Sequence, residues 1–278
     1  MQLSFVKYHG TGNDFILLDN RKESVQLTSN QIQILCSLHW GIGADGLIML
    51  APGSYGADFE MLFFNPDGTG DMMCGNGGRC IAAWADKLGI GNGKLTFINA
   101  GKRYTAEIKQ CGNSVCLVKL SLPTVSLPTK YKDDCLIDTG APHYVCRVSK
   151  KTFLDIPIVE LARDIRYNEP FLSQGGVNVN YFAELEKNIL FVRTYERGVE
   201  RETLSCGTGV TGSALCYAYM QELIEGKIHV YTQGGELDVF FHRNEEVFDQ
   251  VFLEGNATEV FQGTINVNDL EKPPLMAL

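Results

Sequence analysis

The chain has 278 residues, which is enough for two domains, and its composition is ordinary for a soluble globular protein. Its formal charge of −9 argues against nucleic acids and anionic membrane surfaces as partners, because both require basic patches. No apolar run is long enough to span a bilayer, and the N-terminal residues show no signal peptide. We therefore expect a cytoplasmic protein whose nine cysteines are free thiols.

The first half of the chain predicts a set of strands and one central helix. The run IAAWADKL is apolar on nearly every face and ends at Gly89, a typical residue just past a helix end. A shorter helix with a Thr28 or Ser29 cap is predicted up to Leu38. Strands are predicted at 3–8, 15–18, 95–99, 103–109 and 115–120, and in LIML and DFEMLFF.

The second half repeats this order after LSLPTVSLPT, which we interpret as the crossover between halves. Helices are predicted at 159–165 and from Cys206 to about Glu222, and the segment GSALCYAYM in the latter is apolar all round, as in a buried helix. Strands are predicted near 135–138, 144–148, 177–182, 189–195, 227–232, 236–241, 247–253 and 258–262. The tail EKPPLMAL is expected to be peripheral.

Two glycine-rich motifs carry the chemistry. Residues 65–80 read NPDGTGDMMCGNGGRC, and residues 201–216 read RETLSCGTGVTGSALC, with Cys74 and Cys206 offset by 132 residues. Each cysteine should lie at a helix N-terminus, where backbone N–H groups and the helix dipole lower a thiol pKa and attract a carboxylate. Two such thiols suit a two-base reaction in which one removes a proton from a carbon acid and the other delivers one to the opposite face.

Other patterns have weaker interpretations. GTGVTG matches the dinucleotide-binding glycine pattern, but no strand precedes it directly, so nucleotide binding is not favoured. No paired cysteine or Cys/His spacing indicates zinc. Arg197 could bind a substrate carboxylate with Glu196 facing an ammonium group, or the two could form a surface ion pair. His9 and His143 adjoin glycine-rich turns and could be simple loop histidines. The remaining cysteines in apolar surroundings are interpreted as small buried residues: Cys36, Cys111, Cys116, Cys135 and Cys146.

The motifs KYHGTGNDF, GIGADGL, NPDGTGDMMCGNGGRC, GVNVNYF and YERGVERETLSCGTG resemble those of diaminopimelate epimerases, and they occur in that family's order. The resemblance implies a pyridoxal-independent, metal-free isomerase in which Cys74 and Cys206 are the acid/base pair. It also implies a homodimer. By motif match, it places substrate contacts at Asn13, Asn65, Asn178, Glu196 and Arg197, and backbone N–H donors for the reacting carboxylate at Gly75, Asn76, Gly207 and Thr208.

The expected fold class is α+β, with two pseudo-symmetric domains. Each would be a mostly antiparallel sheet wrapped around a central buried helix, with the active site in the cleft between the domains. The expected boundaries are 1–122 for the first domain and 123–262 for the second. The resemblance implies that the segment at about 263–278 packs back on the first domain.

One departure from the family pattern touches the expected substrate site. The family has Asn in a GNPH motif where this chain has TGAPH, with Ala141 at that position. The resulting hypothesis is interconversion of LL- and meso-diaminopimelate, in lysine and peptidoglycan-precursor biosynthesis. Two alternatives stay open: a two-thiol racemase of another amino acid, of the histidine or hydroxyproline type, and a non-catalytic amino-acid-binding protein, which would need neither thiol.

Overall fold

The computed structural model describes residues 2–70 and 72–270, which form two compact units. Residues 2–118 and the described residues from Ala257 onward make up the first unit, and Lys119–Asn256 make up the second. The predicted peripheral tail at 271–278 lies outside the described residues.

In this part of the chain the protein is β-rich and has four α-helices. They are α1 (Ser29–Cys36), α2 (Gly75–Lys87), α3 (Ile158–Arg166) and α4 (Gly207–Met220). Short 3-10 helices occupy Leu172–Gln174 and Val267–Asp269. Of the helices described, none is both long and apolar enough to cross a bilayer.

The strands are numbered in chain order. They are β1 (Gln2–Gly10), β2 (Asn13–Asp19), β3 (Gly46–Pro52), β4 (Phe59–Phe64), β5 (Lys94–Asn99), β6 (Lys102–Cys111), β7 (Val115–Ser121), β8 (Val125–Ser126), β9 (Thr129–Tyr131), β10 (Asp134–Asp138), β11 (Pro142–Arg147), β12 (Asn178–Glu186), β13 (Ile189–Glu196), β14 (Arg201–Thr203), β15 (Glu225–Thr232), β16 (Gly235–Arg243) and β17 (Val247–Asn266).

The strand pairings follow the same order in each unit. In the first unit, β1 and β2 are antiparallel, β2 and β3 parallel, β3 and β4 antiparallel, β4 and β5 parallel, and β5 and β6 antiparallel. In the second unit, the same succession joins β10, β11, β12, β13, β15 and β16. A parallel pair needs a crossover connection, and the four helices supply one for each parallel pair. The repeat seen in the sequence is therefore a repeat of topology.

Helices α2 and α4 are the buried helices of their units. Residues Gly75–Ala85 of α2 and almost all of Gly207–Ala218 of α4 are buried, as the all-round apolar sequences predict. Helix α2 packs against β1, β2, β3, β4 and β6, and α4 packs against β10, β11, β12, β13, β15 and β16. Gly89, in the left-handed conformation at φ 79°, follows the end of α2 as predicted.

Some local predictions were wrong. The crossover contains the short strands β8 and β9, and β14 was not predicted. The two strands expected at 247–253 and 258–262 are one continuous strand, β17, because Gly255 and Ala257 keep an extended backbone instead of forming a turn. The second half of β17 pairs with β1, from Thr258 opposite His9 to Asn266 opposite Gln2, so residues 258–262 lie in the first unit.

The prediction that all cysteines are free was also wrong. Cys111 and Cys116 form a disulfide across the hairpin of β6 and β7, and Cys111 is exposed. The other three cysteines interpreted as small buried residues, Cys36, Cys135 and Cys146, are buried and free. The hairpin geometry places two residues five positions apart on facing strands, which the sequence spacing alone did not reveal.

Candidate active site

Cys74 caps the N-terminus of α2. Its backbone is extended at φ −111° and ψ 114°, and its Sγ accepts a hydrogen bond from the Gly77 N–H at 3.5 Å. A side chain at Gly77 would bring its Cβ to 2.8 Å from Ile48 Cδ1, so the close packing of the first turn explains the glycine. The thiol thus lies at the positive end of a buried helix, where an anion is stabilised.

A network of amides surrounds this thiol. The Cys74 thiol donates to Asn13 Oδ1 at 3.6 Å, and the Asn76 amide donates to the same oxygen at 3.2 Å. Asn13 in turn donates to Asp45 Oδ2 at 2.9 Å. The fold therefore brings Asn13, Cys74 and Asn76 together, and it adds Asp45 as the acceptor for Asn13.

Asn65 holds the turn that precedes the cysteine. Its amide donates to Thr69 Oγ1 at 3.0 Å and to Met72 Sδ at 3.4 Å. These contacts lie within the turn and do not involve the Asn13 network. Asn65 is partly exposed, as a substrate contact must be.

Cys206 has the corresponding place in the second unit. It caps α4 with φ −111° and ψ 112°, and its Sγ accepts from the Gly209 N–H at 3.4 Å. The Thr208 hydroxyl lies 3.4 Å from the sulfur, and the Thr208 carbonyl accepts a hydrogen bond of 2.9 Å from Thr139 Oγ1. The two cysteine caps share almost the same backbone geometry, so the sequence repeat is also a repeat of the helix-cap geometry at each thiol.

Asn178 and Arg197 are held beside each other. The Arg197 N–H donates to Asn178 Oδ1 at 2.8 Å, and Asn178 donates to the Pro142 carbonyl at 3.3 Å. The Arg197 side chain donates to the Gly176 carbonyl at 3.2 Å and is partly exposed, so its guanidinium is held in place with donors to spare. Glu196 is the last residue of β13 and precedes Arg197 directly.

The sequence allows His143 to be a simple loop histidine, whereas the structure buries it almost completely. Its Nδ1 lies 3.0 Å from the Asn180 amide nitrogen, and its Nε2 has no hydrogen-bond partner among the described residues. Burial and then the charge of Arg197 lower the pKa of His143 to about 3, so the ring is neutral at pH 7. Its sequence signal was its place next to the glycine-rich turn in TGAPH.

Arg79 was not singled out by the sequence. It lies in the first turns of α2, is fully buried, and donates to Asn76 Oδ1 at 2.9 Å and to the Gly75 carbonyl at 3.3 Å. The available signal was an arginine separated by one cysteine from the apolar run IAAWA, because a buried cation needs a reason to be there.

Each thiol can act as a proton acceptor or donor. A helix N-terminus favours the thiolate, and the first-turn N–H groups at Gly75 and Asn76, and at Gly207 and Thr208, suit a carboxylate. In residues 2–70 and 72–270, no group of three or more His, Cys, Asp and Glu side chains is arranged to hold a metal ion.

Solved structures share the fold over nearly the whole chain. A phenazine biosynthesis protein of the PhzF family from Bacillus anthracis superposes with a TM-score of 0.74 at 15% identity, covering 96% of this chain and 99% of its own. A hydroxyproline epimerase from Agrobacterium vitis gives a TM-score of 0.70 at 13% identity, covering 96% of this chain and 92% of its own. At these identities the likeness concerns the fold alone.

Sequence comparison defines the class and then the family. The family model and the full-length relatives define an isomerase of the amino-acid epimerase class. The family model described as diaminopimelate epimerase matches residues 5–122 and 135–260. A diaminopimelate epimerase from Flavobacterium psychrophilum is 38% identical over 95% of this chain and 100% of its own length, and one from Chlorobaculum tepidum is 39% identical over 93% and 99%. The chain belongs to the diaminopimelate epimerase family.

Proposed function

We propose that this chain interconverts LL- and meso-diaminopimelate by proton transfer between two thiols at one α-carbon. The observation that carries this proposal is the matched pair of cysteine caps, Cys74 on α2 and Cys206 on α4, each bonded to the N–H of the residue three positions on. Membership of the diaminopimelate epimerase family supports the substrate.

The proton inventory balances without any other reactant. The thiolate of one cysteine takes the α-proton, the carbanion charge spreads into the α-carboxylate, and the other thiol delivers its own proton to the opposite face. The first cysteine ends as a thiol and the second as a thiolate, so the reverse reaction uses the same groups in exchanged roles. Each helix N-terminus contributes about 0.3–2 kcal/mol to an adjacent anion, which favours both the thiolate and the enolate-like carboxylate.

We assign the substrate contacts by chemistry. Backbone N–H groups of Gly75, Asn76, Gly207 and Thr208 bind the reacting carboxylate, and Asn13 lies next to Cys74 to orient the α-amino acid. At the distal end, Asn65 and Asn178 offer amides. Arg197 binds the second carboxylate by its bidentate fork, and Glu196 faces an ammonium group.

The wider proposals follow from this reaction. The enzyme serves lysine and peptidoglycan-precursor biosynthesis in the cytoplasm, acts without pyridoxal phosphate or a metal, and works as a homodimer on a small-molecule substrate. The proposed architecture is two pseudo-symmetric domains, each a mostly antiparallel sheet around its buried helix. The absence of a metal is tested by exhaustive dialysis against a chelator, after which inversion should continue unchanged, and the absence of pyridoxal phosphate is tested by the absorption spectrum, which should show no band above the aromatic one.

The second candidate is a two-thiol racemase of another amino acid, of the histidine or hydroxyproline type. Ala141 favours it, because this position lies in the turn next to Asn178 and an alanine side chain offers no hydrogen bond there. A panel of monocarboxylate amino acids separates the two: the first proposal requires faster inversion of diaminopimelate. A non-catalytic binding protein would invert none of them.

The decisive experiment is incubation with LL-diaminopimelate in deuterated water. Inversion and α-deuterium uptake should proceed together, since the delivered proton comes from a solvent-exchanged thiol. Binding without deuterium uptake would overturn the proposal.

Alanine variants then assign the thiols. Cys74→Ala and Cys206→Ala should each lower kcat by orders of magnitude, while Cys146→Ala, a buried free cysteine of the second unit, should retain inversion. Near-normal inversion by Cys74→Ala would refute the two-base reaction and leave a one-base racemase to consider.

A further inference from the structure

The arginine in the first turns of α2 is a buried cation without a carboxylate partner among the described residues. Arg79 is fully buried, and no ion pair joins it to an Asp or Glu of residues 2–70 or 72–270. Its Nε has no hydrogen-bond partner in the same residues. A buried charge is costly unless something compensates it, so an arginine kept there has a role.

Its hydrogen bonds lead directly to Cys74. The guanidinium donates to Asn76 Oδ1 at 2.9 Å, which leaves the Asn76 amide nitrogen to donate to Asn13 Oδ1 at 3.2 Å. Asn13 Oδ1 is also the acceptor for the Cys74 thiol at 3.6 Å. Arg79 therefore determines which way the Asn76 amide points, and through it the acceptor beside the thiol.

The packing around the guanidinium is tight. A Cβ at Gly10 would lie 3.1 Å from the Asn76 carbonyl oxygen and 3.2 Å from Arg79 Nη2. Arg79 also donates to Thr11 Oγ1 at 3.5 Å, at the turn that begins β2. The side chain is held from two directions, so its charge keeps a fixed distance to the cysteine.

Two thiols lie near this charge, and only one is suited to ionise. Burial raises the pKa of the Cys80 thiol well above its ordinary value, so Cys80 stays neutral. Burial lowers the pKa of Arg79 to about 10, while Cys80 and Cys74 act in the opposite direction, so the guanidinium is charged at pH 7. Cys74 is thus the thiol whose ionisation supplies a counter-ion.

The matching helix of the second unit lacks this cation. The residue 132 positions after Arg79 is Thr211, whose hydroxyl donates to the Gly207 carbonyl at 2.8 Å. In the second unit, His143 is buried and neutral, and the charge that acts on it belongs to Arg197, which is partly exposed. Around Cys74, the other charged groups are Asp45, bonded to Asn13, and Asp14, paired with Lys7 at 2.7 Å.

We propose that Arg79 is a positioning residue for Cys74: its guanidinium orients the Asn76 amide toward Asn13, and its buried charge favours the Cys74 thiolate. Cys74 is then the resting base and Cys206 the resting acid. This assignment of roles rests on the proposed two-thiol reaction, but the effect of Arg79 on Cys74 does not.

The test measures the thiols without turnover. The rate of iodoacetamide alkylation is followed as a function of pH, and each cysteine is quantified by peptide mass spectrometry. Alkylation requires the thiolate, so the midpoint of the profile reports ionisation, whereas accessibility scales the rate at every pH. In the unmodified protein we expect the midpoint of Cys74 to lie about 1 unit below that of Cys206.

Variants then separate charge from structure. Arg79→Met should raise the Cys74 midpoint by about 1 unit or more and leave the Cys206 midpoint in place. Arg79→Lys should restore most of the shift. The control is Arg193→Met, which removes another largely buried arginine, paired with Glu202 at 2.7 Å in the second unit, and should leave the Cys74 midpoint unchanged.

Two results would overturn the proposal: a Cys74 midpoint equal to or above that of Cys206 in the unmodified protein, or a folded Arg79→Met variant with an unchanged Cys74 profile. The first measurement stands even if Arg79→Met does not fold. If the profiles behave as expected but diaminopimelate is not inverted, the proposed function fails and the role of Arg79 at the thiol survives.

Discussion

Gly209, which donates its N–H to the sulfur of Cys206, gives a sharp test of the second cysteine cap. An added Cβ would overlap Asn180 Oδ1 and lie 3.0 Å from Thr194 Oγ1. Asn180 is fully buried and cannot move freely, because it is bonded to His143 at 3.0 Å, to the Tyr144 carbonyl at 3.2 Å and to Thr194 at 2.9 Å. The change Gly209→Ala therefore forces a buried amide out of its hydrogen bonds.

The magnitude follows from opposing terms. Alanine in place of glycine gains about 1 kcal/mol of helix propensity. Overpacking costs about 1–3 kcal/mol, and each buried group left without its hydrogen bond costs about 1–3 kcal/mol. With one or two of the Asn180 bonds lost, we expect Gly209→Ala to lower the free energy of unfolding by about 2–4 kcal/mol.

The assay is urea denaturation at 25 °C, analysed as a double-mutant cycle with Asn180→Ala. If the clash with Asn180 causes the loss, Gly209→Ala should cost at least about 2 kcal/mol less in the Asn180→Ala background. Gly212→Ala is the matched control on the same helix: its Cβ would lie 3.0 Å from the Ile137 methyl, which can shift, and at ordinary contact distances of 3.7 Å from Thr139 Cγ2 and 3.8 Å from His143 Cβ. An equal cost in both backgrounds, or a neutral Gly209→Ala, would refute the reasoning.

Three further predictions concern the distal substrate end, an acid-sensitive carboxylate and the disulfide. Ala141→Asn should change KM more than kcat. Arg197→Ala should weaken the binding of dicarboxylate substrates at least about tenfold, since a hydrogen bond to a charged group contributes about 1.5–3 kcal/mol. An equal loss of binding for monocarboxylate substrates would contradict this prediction. Burial opposes ionisation of Glu200, but hydrogen bonds from a backbone N–H, two tyrosines and an arginine together lower its pKa from 4.5 to about 2. The stability that ionised Glu200 contributes is present above pH 4.5 and is lost as the pH falls from 4.5 to about 2. The free energy of unfolding of Glu200→Gln should therefore fall less steeply with decreasing pH in this range than that of the unmodified protein. Parallel pH profiles of the two proteins would contradict this prediction. Thiol titration of denatured, unreduced protein should find seven thiols, and reduction of the Cys111–Cys116 bond should raise the number to nine; nine before reduction would exclude the disulfide.

The sequence by itself determined the local framework. Period and capping signals predicted four helices, and their predicted ends lie within a residue or two of the observed ones at Ser29–Cys36, Ile158–Arg166 and Gly207–Met220. For Gly75–Lys87 the apolar run indicated the body of the helix, whereas the glycine-rich first turn has no apolar periodicity. The cap at Cys74 could be predicted because glycines next to a thiol followed by an apolar run are a local pattern. The same holds for Cys206. Such features depend on residues within one helical turn, so no tertiary information is needed.

The tertiary structure decided everything that depends on distant residues. Asn13 reaches Cys74 only because β2 lies beside α2, and Asp45 joins them from the start of β3. The second half of β17 pairs with β1, which lies more than 240 positions earlier in the chain, and the sequence analysis, which considers only neighbouring residues, predicted two separate strands there. Burial of Arg79 and His143 is a property of packing, and only packing turned a charged residue and a turn histidine into groups that act on the thiols' surroundings. Local order follows from short-range patterns, whereas charge environments follow from which surfaces the folded chain removes from water.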